Sequence, residues 1–195
     1  KNFSTRVEIS FMNRSSFEIE FWSSFTYLEN EFNVTRNENA LPLPIGKYNY
    51  NFFELNYNGD NTENFNINAG ISAGNFYNGN KFSFQTKLNY RIEPIFQSSF
   101  NISYDKIDLP LPFDSAELWL IGPKINFTFT KELFWSNYIQ YSSLNESVGI
   151  NSRLQWRFAP LSDFYLVYND NYFASNIFAP KLRSLTFKLS YWFNF

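Results

Sequence analysis

Apolar and polar residues alternate along most of this chain. Val7, Ile9 and Phe11 oppose Arg6, Glu8 and Ser10; Phe17, Ile19 and Phe21 oppose Glu18 and Glu20. Phe82, Phe84, Leu88 and Tyr90 oppose Lys81, Gln85, Lys87 and Arg91, and Phe96, Phe100, Ile102 and Tyr104 oppose Gln97, Ser99, Asn101 and Ser103. Ile150, Leu154, Trp156 and Phe158 oppose Asn151, Arg153, Gln155 and Arg157. Period two places successive side chains on opposite faces of a β-strand, whereas helical spacing is hard to find. Runs of this kind, bounded by Asn, Gly, Pro and Ser, predict about eleven strands. They lie near 3–12, 16–28, 46–58, 64–76, 80–93, 95–107, 116–130, 132–143, 147–159, 162–172 and 182–195. Between Tyr48 and Tyr57 the alternation changes phase at Phe52 and Phe53, which predicts a bulge.

These strands are long. Many reach the roughly 9 to 11 residues that a tilted strand needs to cross a bilayer, against about five or six in an ordinary sheet. A strand face with two or three long charged side chains does not fit a dry core, but it can line a wet lumen. The expected fold is therefore all-β, an antiparallel transmembrane β-barrel of outer-membrane type. A soluble lipocalin-like barrel is the alternative. If the last strand descends to the periplasm, the periplasmic turns are 159–163, 130–132, 92–94, 58–63 and 13–15, all short. The outer connections then include the long 29–45, 108–115 and 172–181. The same parity makes the strand number odd, although bacterial barrels of one chain have an even number. The expectation is one barrel domain over 1–195, the C-terminal portion of a larger barrel with at least one strand upstream of Lys1. A strand missed near Glu31 to Thr35 would also restore even parity.

Composition sharpens this picture. Phe 25, Tyr 13 and Trp 5 make the chain 22% aromatic, yet mean hydropathy is below zero because Asn and Ser fill the other face. No run approaches the 18 to 20 apolar residues of a membrane helix. The formal net charge is -2, and the basic residues are scattered singly, which excludes the basic footprint of a nucleic-acid binder. Cys and His are both 0. That removes thiol chemistry, thiolate metal sites and the usual general base of barrel lipases and acyltransferases. "NGDNTEN" at 58–64 is oxygen-rich but lacks EF-hand spacing, and no cofactor is expected.

The final stretch "SLTFKLSYWFNF" carries Phe187, Leu189, Tyr191, Phe193 and Phe195 on one face and Lys188 on the other. An ordinary half-buried strand shows such alternation. A chain that stops on the aromatic itself more closely resembles the sorting signal of outer-membrane barrels, which implies recognition by the barrel-assembly machinery. A second resemblance covers "QYSSLNESVGINSRLQWRFAPLSDFYLVYN" at 140–169, with Asn151, Arg153, Leu154 and Trp156 in an N-x-R-L-x-W run and Pro160, Ser162 and Asp163 in a P-x-S-D turn. Val167, Tyr168 and Asn169 follow, and the terminal L-x-Y-W-F at 189–193 completes the pattern. This resembles the closing segment of an uncharacterised outer-membrane family of Bacteroidota, often preceded by a carbohydrate-binding family 9-like β-sandwich. The chain has Leu161 where that family usually has Gly, and it lacks the sandwich, so no glycan-binding residue carries over.

Arg6, Glu8, Glu18, Glu20, Lys81, Lys87, Arg91, Arg153, Arg157 and Lys188 are the expected lumen-facing charges. They could set the charge of a pore or serve as the hydrated filling of any polar lumen. Trp135 and Trp156 are expected in the interfacial aromatic girdles. Three functions remain open: a non-enzymatic outer-membrane anchor or scaffold of a surface complex that could handle glycan, a pore for small polar solutes, and, least favoured without His, an enzyme. Expected partners are outer-membrane lipid and lipopolysaccharide, the assembly machinery and other surface proteins; no nucleic acid is expected.

Overall fold

The computed structural model describes residues 3–35 and 40–193. Phe195 lies outside the described residues. Eleven strands follow in order: β1 (Phe3–Ser10), β2 (Ser16–Leu28), β3 (Gly46–Asn58), β4 (Phe65–Phe76), β5 (Gly79–Ile92), β6 (Phe96–Asp108), β7 (Ala116–Thr128), β8 (Leu133–Ser142), β9 (Ser147–Ala159), β10 (Ser162–Phe173) and β11 (Asn176–Ser190). Each strand pairs with its sequence neighbours in a single sheet ordered β1 to β11. The fold is all-β among the described residues, as the period-two pattern predicts.

Short turns hold consecutive strands in register. In the β1–β2 turn Asn13 Oδ1 accepts from the backbone N–H and the hydroxyl of Ser15, at 3.2 and 2.7 Å, and Arg14 adopts φ 63°. The β3–β4 turn repeats the device, with Asp60 Oδ1 taking both the N–H and the hydroxyl of Thr62 at 2.7 Å. In the β7–β8 turn Thr130 Oγ1 accepts from the backbone N–H groups of Glu132 and Leu133 at 3.1 Å. A side-chain oxygen that accepts from the backbone two residues on mimics a backbone turn, so these polar triplets end one strand and start the next.

Two expectations about strand boundaries need correction. The pairing of β2 with β3 is unbroken from Ser16↔Asn58 to Leu28↔Gly46, so no bulge interrupts it at Phe52 and Phe53. The phase change is a real exchange of side-chain character between the faces. The expected outer loop over 172–181 is mostly strand, because β11 starts at Asn176 and only Ala174 and Ser175 separate it from β10. Irregular register at Tyr172↔Pro180 and Phe173↔Asn176 absorbs the residues that disrupt strict alternation. Near Glu31 to Thr35 there is only an isolated bridge, Phe32↔Leu43, inside the β2–β3 loop.

The chain forms two compact units, Lys1–Lys87 with Ile102–Trp119, and Leu88–Asn101 with Leu120–Phe195. Neither has an ordinary apolar interior. Among the described residues the buried apolar side chains are Leu43, Tyr50, Phe52 and Ile107, all in the first unit. Large apolar side chains stand exposed along the strands of both, as with Val7, Ile19, Phe53 and Phe82 in the first and Trp156, Leu185, Phe187 (63% exposed) and Leu189 in the second. In water such an arrangement would leave far more than the few hundred Å² of contiguous apolar surface that soluble monomers tolerate.

Candidate functional site

Strand register sorts the side chains into two faces. In the first unit the apolar face aligns Val7↔Ile19, Phe21↔Phe53, Ile19↔Leu55 and Leu55↔Ile71. The rings of Phe21 and Phe53 lie 4.9 Å apart. In the second unit the row Trp135↔Leu154↔Leu166↔Phe187 crosses four strands. Trp135 packs near Phe127, and Phe158 stacks on Tyr191 at an interplanar angle of 13°. Trp135 and Trp156 both stand exposed on this face. Of the terminal dyad, Phe187 and Leu189 lie on it within β11, and Tyr191 and Phe193 follow the strand, exposed.

The other face carries the charges. Arg6 lies opposite Glu20, and Glu8 opposite Glu18. Like charges directly opposite each other repel across a strand pair, and Arg6 Nη1 relieves this by reaching diagonally to Glu18 Oε1 at 2.9 Å. Glu20 in turn faces Glu54 on β3. On β5, Lys81, Lys87 and Arg91 share one parity; Arg91 pairs with Glu93 at 3.3 Å and Lys81 with Asp105 of β6 at 3.1 Å. In the second unit Asn151 Nδ2 donates to Asn169 Oδ1, and Asn169 donates to Ser184, 3.5 Å away. Gln155 donates to Asp163 and to the Tyr165 hydroxyl at 3.0 and 3.1 Å, and Arg157 lies 3.5 Å from the same Asp163 oxygen. Arg153 shares the parity of Gln155 and Arg157, and Lys188 pairs with Tyr165 across β10–β11.

Toward the long-loop end of the first unit the faces exchange character. On the formerly apolar side stand Lys47, Asn49 and Asn51 of β3, and on β6 Lys106 paired with Asp108 at 3.5 Å. On the formerly polar side stand Tyr48, Tyr50 and Phe52 of β3, Phe76 of β4 and Ile107 of β6. Tyr77, at φ 53° in the β4–β5 turn, touches Phe32, Tyr48, Tyr50 and Phe76 with ring centroids 4.7 to 5.7 Å apart. The β2–β3 loop folds onto this cluster through Phe32 and Leu43, whose backbones exchange hydrogen bonds of 3.1 and 2.8 Å, and Leu43 is 1% exposed.

The second unit shows a related change at its own loop end. Asp170 and Arg183 lie on the apolar side, against the expectation that charges keep to the polar face. Arg183 Nε donates to Asp170 Oδ2 at 2.7 Å, the Tyr168 hydroxyl donates to the same carboxylate, and Arg183 Nη2 reaches the Tyr172 hydroxyl at 3.3 Å.

Below the aromatic cluster of the first unit lies a cleft of about 360 Å³. Its floor is the Trp22–Phe52 pair, stacked at 4.8 Å and 19°, and its walls include Glu54, Ser72, Lys81 and Ser83. Ser83 Oγ donates to Asp105 at 2.5 Å, the carboxylate that also holds Lys81. Asn56 Nδ2 donates to Glu54 Oε1 at 2.9 Å. Of these side chains only Lys81 is among the charges expected from the sequence. Trp22, Phe52, Glu54 and Asp105 were missed, although Trp22 has the parity of Glu18 and Glu20, a signal legible in β2.

No protein-family model matches the chain, and no curated protein is similar to it. Among solved structures it is similar to a KdgM porin in complex with disordered oligogalacturonate, at 10% identity and a TM-score of 0.37, with 87% of this chain and 84% of that chain covered.

Proposed function

We propose that the protein is a non-enzymatic β-barrel of the bacterial outer membrane whose polar face lines a water-filled interior that passes small polar solutes. One observation carries the reading: large apolar side chains are exposed along one face of the strands, while the other face holds the ion pairs except Lys106–Asp108 and Asp170–Arg183, which lie toward the loop ends. That is the inside-out order a bilayer selects, and a closed ring of strands satisfies every backbone group there without water.

Strand length supports it. The 13 residues of β3 span about 43 Å at ~3.3 Å each, and a tilt of about 40° leaves ~33 Å of height against an apolar band of about 25 Å. About three residues then stand beyond the lipid. With all of them at the loop end of β3, Lys47 is the outward-parity residue that clears the lipid, while Asn49 and Asn51 lie deeper along the strand. Phe187, Leu189, Tyr191, Phe193 and Phe195 would meet the assembly machinery during insertion and lipid afterwards, with lipopolysaccharide around the outer end. Membership of the Bacteroidota family, with a sandwich domain upstream, belongs to the same proposal.

The tucked β2–β3 loop favours a second reading, an anchor or scaffold of a surface complex with its interior obstructed. Single-channel recording in planar bilayers separates the two: steady ion current supports the pore, and silence from correctly folded protein supports the scaffold. The membrane location is tested by fluorescence of single-tryptophan variants. Lipids brominated on their acyl chains should quench Trp135 and Trp156 and spare Trp22; equal quenching of all three would overturn the assignment of faces.

A further inference from the structure

We propose that the cleft beside Trp22 is a binding site for a neutral saccharide. The inference deepens the reading of a solvent-filled polar face and rests on it. The indole of Trp22, one face of which is covered by the Phe52 ring stacked on it at 19°, lines the cleft together with Glu54, Ser72 and Ser83 where the polar face meets the aromatic cluster. Phe52 is buried, whereas Trp22 is half-buried and also borders a second cleft of about 250 Å³ with Ser4 and Ser24. A half-buried indole among hydroxyls and a carboxylate suits a ligand with one apolar face and a polar rim. A pyranose has that shape: its axial C–H groups lie on the ring and its equatorial hydroxyls point sideways.

The rim decides the charge class. Lys81 is engaged by Asp105 at 3.1 Å and lies 5.5 Å from the centroid of the Phe76 ring, so the basic group of the cleft is already matched. Glu54 is an acceptor, Ser72 is a hydroxyl that both donates and accepts, and Ser83, whose hydrogen is held by Asp105 behind the wall, is left as an acceptor. An acceptor-rich rim takes hydroxyl donors and disfavours a carboxylate on the ligand, which selects neutral sugars over uronic acids. The volume of about 360 Å³ sits at the small end of ligand pockets and suits one or two sugar rings.

The test is calorimetric titration of the full chain in detergent micelles with maltotriose, the corresponding uronic-acid trisaccharide and a linear polyol of similar mass. Maltotriose should bind at least tenfold more tightly than either comparator. Trp22→Ala should lower its affinity at least tenfold, Trp22→Phe should recover much of the loss, and Trp156→Phe on the apolar face should leave it unchanged. Equal binding of maltotriose and the polyol, no binding of maltotriose, or an unchanged affinity in a folded Trp22→Ala protein would overturn the site. Binding in micelles does not require conduction, so a silent channel that still binds maltotriose refutes the pore alone, and a conducting channel that ignores it refutes the site alone.

Discussion

Replacing Leu154 with Arg puts the assignment of faces to a quantitative test. Leu154 lies near the middle of β9 in the apolar row between Trp135 and Leu166, and its neighbour Arg153 points to the opposite face. If the apolar face meets hydrocarbon, Leu154→Arg places a guanidinium near the bilayer midplane at a cost of about 2 to 4 kcal/mol. At about 1.4 kcal/mol per decade, the folding equilibrium falls roughly 30- to 1,000-fold. If that face meets water, the charge is solvated and the change stays within the ~0.5 kcal/mol of an ordinary surface substitution. Arg153→Gln, one position away, is the control and should stay within the same ~0.5 kcal/mol. The assay is reversible denaturant titration of the chain folded into phospholipid vesicles, followed by tryptophan emission. Equal effects of the two substitutions, or a Leu154→Arg cost below ~0.5 kcal/mol, would refute the lipid-facing reading.

Other substitutions probe the local devices that hold the sheet. Leu161 sits at φ 58° in the β9–β10 turn, 70% exposed, a conformation that costs an L-residue about 1 kcal/mol or more and costs Gly little. Leu161→Gly should therefore raise stability by about 1 kcal/mol in the vesicle titration; a loss would show that the leucine contributes packing that the turn needs. Gly74 lies against the backbone of Asn51 and Phe52, where a Cβ has no room, so Gly74→Ala should cost about 1 to 3 kcal/mol and raise amide exchange along β3–β4. Buried Ser162 accepts from the Trp192 N–H at 3.1 Å, and Ser162→Ala should cost about 1 kcal/mol, seen as roughly fivefold faster amide exchange at Trp192. Unchanged exchange there would mean that the contact does not hold the end of the chain.

The sequence by itself determined the strands and their two faces, because alternation is a local property: a residue's parity within its strand assigns its side without reference to any other strand. Charges such as Arg6, Glu18 and Arg157 could therefore be placed on one face. Leu161 takes φ 58° in the β9–β10 turn, a conformation that glycine adopts at little cost and that alternation along the strands does not reveal. Tertiary structure alone decided what meets what. Register brings Lys81 and Ser83 of β5 to Asp105 of β6 and stacks Trp22 on Phe52, and neither pairing follows from spacing along the chain. It also turned the apparent bulge in β3 into an exchange of faces, since only the unbroken pairing with β2 distinguishes an inserted residue from a change of surroundings. Asp170 and Arg183 break the parity rule through their pairing: each is charged in sequence, and they form an ion pair across β10–β11 on the apolar side, although Asp170 Oδ1 is left buried without a hydrogen-bond partner. Alternation fixes direction within a strand, and register between strands fixes the neighbours from which a binding site is made.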